Sequence, residues 1–200
     1  DAWQLFAVWA VLALPWTVVA AKDGLWALWL VIAATGLGFW CSVQLNLFGI
    51  FSPGLAGLWP QLLLWLPLWL LPGGLPHLKV CAIAQPRISR AVGAGVALGA
   101  WAGFGVMSVL QRDADWAVFG LASVLVAAVV AAAWRKRNIL VLGLGLMAAN
   151  ALWLVAVGHY LFSTLDWAGT GAFSLMTLVI AASVGASAHG LYRLQKEGAV

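Results

Sequence analysis

Residues 116–134 read WAVFGLASVLVAAVVAAAW, and Arg135, Lys136 and Arg137 follow without a break. No charge interrupts the run, and apart from its two indoles the one polar side chain is Ser123. Wound as a helix rising 1.5 Å per residue, it is about 28 Å long, close to the thickness of a bilayer's hydrocarbon core. Trp116 and Trp134 stand at its ends, where an amphipathic indole prefers the headgroup layer. This stretch reads as a transmembrane helix with a basic turn at its exit.

The rest of the chain repeats the pattern. Across 200 residues, 64% are hydrophobic and 8% charged, mean hydropathy is +1.02, and tryptophan occurs 14 times. A soluble domain carries about 25% charged residues. Apolar runs separated by charges or by Pro/Gly clusters give spans near 3–21, 25–50, 58–72, 91–110, 116–134, 139–163 and 168–192. At roughly 20 residues per crossing, these leave no length for a folded domain outside the membrane, which excludes a soluble enzyme. The expectation is an all-α integral membrane protein: one transmembrane domain over 1–200, a bundle of about seven helices. The third run is short and holds Pro60, Pro67 and Pro72, so six crossings remain if it is re-entrant.

Orientation follows from the cations. Lys22 lies in the first turn, Lys79, Arg87 and Arg90 in the third, Arg135, Lys136 and Arg137 in the fifth, and Arg193 and Lys196 at the C-terminal end. The alternate turns hold only Arg112, outnumbered by Asp113 and Asp115. With seven spans the positive-inside rule puts the N-terminus outside and the C-terminus in the cytoplasm of a bacterial inner membrane. A re-entrant third run would invert the first two spans and misplace only Lys22. Trp59 and Trp167, like Trp116 and Trp134, fall at predicted span ends. Asp1 in place of Met reads as processing or trimming of whatever precedes it, and the run Trp3–Ala21 is too long for a signal-peptide core.

All ten Lys/Arg and all six Asp/Glu fall in turns or tails. Ionisable groups inside the membrane normally mark pumps and coupled transporters, so their absence argues against proton-coupled transport and voltage sensing. Motifs for hydrolysis and phosphoryl transfer are missing. The net charge of +4 is accounted for by orientation and by attraction to anionic lipid, and implies no nucleic-acid partner. Cys41 and Cys81, in different segments, read as packing residues and not as a disulfide framework.

Three histidines remain. His159 and His189 fall near opposite surfaces, roughly 20 Å or more apart along the membrane normal, too far to clamp one haem between them. A single axial ligand is still open to His159, with Tyr160 and Asn150 nearby, for haem, quinone or a chlorophyll-like pigment. The alternative for His159 is a hydrogen bond to a neighbouring carbonyl. His77 and Cys81 are spaced i, i+4 and could share a metal with His189. Gly95, Gly99 and Gly103 recur every fourth residue, a stripe for close helix approach within the bundle or between subunits. Gln44, Asn46 and Asn150 are polar groups in the interior that need partners, as helix ties or ligand contacts. With Thr35 they could line a route for a small neutral solute.

Gln4-Leu5-Phe6 through Leu14-Pro15-Trp16, Gly38-Phe39 to Asn46-Leu47-Phe48-Gly49, and Arg135-Lys136-Arg137-Asn138 followed by Ala149-Asn150 resemble the first half of the NnrS family. That resemblance implies a multi-span bacterial membrane protein of a group that holds haem and copper. The family's histidine-containing stretch would fall near Trp26–Leu28, where no histidine stands, and its later Gly-Arg and Pro segment is unmatched around Gly185–Gly190. Haem or copper binding therefore does not carry over. The expected function is a non-catalytic membrane subunit or scaffold, with lipids and other membrane subunits or further copies of itself as partners. The alternatives are a binder of an apolar cofactor and a facilitator for a neutral solute.

Overall fold

A computed structural model describes residues 2–44, 63–74, 86–110, 114–164 and 170–198. Among these are seven helices and no strands: α1 (Ala2–Ala20), α2 (Asp23–Gln44), α3 (Leu66–Gly74), α4 (Ile88–Leu110), α5 (Trp116–Arg135), α6 (Ile139–Thr164) and α7 (Thr170–Gly198). All but α3 are long and apolar enough to cross a membrane. The chain is a multi-pass helical membrane protein, since only helices or closed barrels satisfy every backbone group in hydrocarbon.

The third expected span meets a shorter element. Helix α3 begins at Leu66, and residues 45–62 lie outside the described residues. Pro67 stands in its first turn, where a missing N–H costs nothing, and Gly73 and Gly74 close it. Helix α7 runs past the expected end at 192 to Gly198, with Lys196 in its last turn where a cation favours the helix dipole.

Packing divides the chain into two compact units, Asp1–Ala100 and Trp101–Val200. In the first, α1 and α2 form an antiparallel pair. A Cβ on Gly36 would stand 3.1 Å from the Cβ of Phe6, and the rings of Phe6 and Phe39 stack at 5.6 Å. The half-buried Trp29 indole donates to the Ala10 carbonyl at 2.8 Å, which gives its N–H a partner. Trp26, Ala27, Leu30 and Ala34 make the buried stripe of α2. Trp26 packs against Leu71 of α3, and α3 in turn meets α4, where a Cβ on Gly93 would come within 2.5 Å of the Leu68 carbonyl oxygen.

One carboxylate joins α2 to α4. Asp23 accepts the backbone N–H of Ile88 at 2.6 Å and of Ser89 at 3.0 Å, two of the orphan donors at the start of α4. The N-terminal ends of α2 and α4 therefore lie together in this unit.

In the second unit, Asp115 caps α5 through the N–H groups of Ala117 and Val118. Val118, Ala122, Val126, Val129 and Ala133 form its buried face. The α5–α6 turn is short because the N–H of Asn138 reaches back to the Ala133 carbonyl and Arg137 takes a left-handed φ of 50°, a close of the kind glycine usually makes. Helix α6 packs on α5 where a Cβ on Gly145 would lie 2.7 Å from Val130 Cγ2. It packs on α7 through Gly158 and Met176, and through Gly143 and Leu191.

Gly93→Ala should lower the unfolding temperature in detergent, by an overpacking cost of about 1–3 kcal/mol against a backbone oxygen that cannot move aside. Gly99→Ala, which meets nothing within 4 Å, should be neutral or gain up to about 1 kcal/mol of helix propensity. Thermal unfolding of both variants, followed by circular dichroism, checks the contrast.

Candidate functional site

The residues read as a cofactor site do not converge. His159 is half-buried near the end of α6, and its ring meets Trp116 of α5 edge-on, with centroids 5.7 Å apart. Tyr160 beside it is exposed. Asn150 lies two and a half turns earlier, about 14 Å along the axis, and donates from Nδ2 to Ser187 Oγ of α7 at 3.0 Å. Of the two roles open to Asn150, the structure displays the helix tie. Ser187 escaped notice in the sequence as that partner, because nothing local to residue 150 indicates which residue of α7 faces it.

His189 is exposed on α7. The antiparallel register that sets Gly158 beside Met176 keeps His189 about 20 Å from the level of His159. His77 and Cys81 lie outside the described residues, as do Asn46, Trp59 and Trp167. Gln44 ends α2. Among the described residues no three His, Cys, Asp or Glu side chains gather as a metal site. Cys41 is buried with a free thiol. Thr35 turns its hydroxyl to the Val31 carbonyl at 2.8 Å within its own helix.

The glycines of α4 lie on two different faces. Buried residues Ala94, Ala97, Leu98, Trp101 and Ala102 mark the inward face. Gly99 and Gly103 are on the other side, exposed, and a Cβ added to either would meet nothing within 4 Å. Gly95 is half-buried. Close approaches inside the chain fall instead on Gly93 and Gly105, the latter with Leu152 Cδ2 at 2.5 Å and Ala122 Cβ at 3.0 Å. The i, i+4 spacing alone could not distinguish these faces, since both carry small residues.

A groove of about 650 Å³ runs along α5 and α6, lined by Phe119, Ser123, Ala127, Ala131 and Trp153 among others, with Trp134 and Arg135 at one end. Ser123 spends its hydroxyl on the Phe119 carbonyl at 2.8 Å, so the groove presents apolar surface until Arg135. The sequence shows these residues as one uniformly apolar span and gives no sign of the groove.

Comparison with protein-family models, with curated proteins and with solved structures finds no match, and the resemblance to the NnrS family is without support from them.

Asn150→Leu and Ser187→Ala should each destabilise α6–α7 packing, by about 0.6 kcal/mol and at most about 1.7, the range measured for hydrogen bonds between membrane helices. The double variant should cost less than the sum of the two. Additive losses in unfolding temperature would mean the pair is not coupled.

Proposed function

We propose that this chain is a non-catalytic subunit or scaffold of a larger inner-membrane assembly, joined to its partner along the outward glycine face of α4. The carrying observation is the exposure of Gly99 and Gly103, with no neighbour among the described residues within 4 Å of an added Cβ. An exposed glycine inside a helix costs about 1 kcal/mol relative to alanine. At Gly93 and Gly105 close packing offsets that cost within the chain. At Gly99 and Gly103 none of the described residues packs in that way, and a second helix laid against the face would do so. The absence of charge from the middle of every long helix accords with a role in assembly and not in ion translocation.

This reading takes the topology as seven crossings, with the N-terminus outside. The pairing of Asp23 with Ile88 and Ser89 supports it: α2 and α4 start at the same end and so run in the same direction, as the second and fourth of seven spans do. Lys22, Arg87 and Arg90 then share one side, as the positive-inside rule requires.

Gly99→Leu should release companion chains or further copies, seen as a lower complex mass in mild detergent, while the unfolding temperature of the chain stays within a few degrees of wild type. An unchanged mass would overturn the proposal. So would a Soret or pigment band that vanishes in His159→Ala, because it would make the chain a single-histidine cofactor binder. For topology, single cysteines at Lys22 and Lys136 should label from the same face of sealed vesicles, and labelling from opposite faces would establish six crossings.

A further inference from the structure

We propose that the α5–α6 groove is a binding site for one anionic phospholipid, with an acyl chain lying along Ser123, Ala127 and Ala131 and the phosphate held by Arg135. The three small residues recur every fourth position and form a shallow floor along one side of α5, while Trp153 of α6 makes a wall. From Arg135 back to Ser123 is about 18 Å of helix, close to the roughly 15 Å depth of one leaflet. The groove thus begins at headgroup level, beside the exposed Trp134 indole, passes Ser123 near the bilayer midplane and continues one turn further to Phe119.

Charge selects the occupant. Arg135 lines the groove itself, and Lys136 and Arg137 are exposed beside it. No Asp or Glu occurs between Asp115 and Asp166, so α5, the turn and α6 contain no carboxylate to neutralise the three. Helix α7 brings Arg193, Lys196 and Glu197 toward the same end, a net of one more positive charge, since Leu191 lies against Gly143 early in α6. A second copy seated here would bring its own cations to this end, whereas a phosphate diester supplies the missing negative charge and its tail fills the apolar groove. The left-handed close at Arg137 holds the three cations in one short turn and does not let them spread along a loop.

The test is lipid binding to the full chain in mild detergent by native mass spectrometry, with phosphatidylglycerol and phosphatidylcholine of identical acyl chains. Phosphatidylglycerol should bind at least tenfold tighter, and Arg135→Gln should remove most of that preference. Ala127→Phe with Ala131→Phe, which fills the floor, should weaken both lipids by a similar factor. Equal binding of the two lipids, or a preference that Arg135→Gln leaves intact, would overturn the proposal. Displacement by millimolar glycerol 3-phosphate would also overturn it, because the ligand would then be a free phosphate without use of the groove. A change in oligomeric mass with lipid binding unaltered in the floor variant would assign the groove to a second copy instead. If the floor variant fails to fold, the Arg135→Gln comparison decides alone.

Discussion

In hydrocarbon a backbone N–H or C=O has no water to turn to, and every other feature of this chain is arranged around that requirement. Within each long helix the backbone satisfies itself. At the ends it cannot, and four donors and four acceptors are left over at each. The chain meets the shortfall with side chains drawn from its few polar residues. Asp115 closes the start of α5, Asn138 offers Oδ1 to Val141 at the start of α6, and Asp23 reaches from α2 to the start of α4. The last is both a cap and a clamp: a carboxylate on one helix cannot bond the first turn of another unless their ends are adjacent. A single residue therefore sets both the beginning of α4 and the helix end beside which it starts.

Glycine acts twice in this chain, in opposite senses. At Gly36, Gly93, Gly105 and Gly145 it lets another helix approach within a distance that a Cβ would obstruct, and these positions knit each unit internally. At Gly99 and Gly103 it leaves the backbone bare on an outward face. Lipid tails are as apolar as leucine, so burying apolar surface does not drive helices together in a membrane; close van der Waals approach does. An outward glycine face therefore offers what the many exposed leucines and valines of α1 and α7 do not, a surface that a backbone could approach closely.

Polar side chains follow the same economy. Asn150 bonds Ser187, Trp29 bonds a carbonyl of α1, and Thr17, Thr35 and Ser123 turn back on their own helices. His159 rests on the edge of Trp116. These contacts tie helices or satisfy single groups, and they do not gather around a common centre. In the turn after α5, three exposed cations stand above an apolar groove.

Composition and span length settled the solvent of this protein, and with it the helical class, because a continuous apolar run of about 20 residues has one stable form in lipid. Four of the long helices, α1, α4, α5 and α6, also have starts and ends near where charge and proline break the sequence, since a charge resists burial and proline lacks a donor. What the sequence left open was facing. An apolar helix in a soluble protein shows its inner side by contrast with a polar outer side, but a membrane helix is apolar all round and offers no such contrast. The partner of Asn150, the outward turn of Gly99 and Gly103, the reach of Asp23 to α4 and the groove beneath Arg135 all depend on rotation and register between helices. Those were decided only when distant residues packed, through contacts that no local pattern encodes.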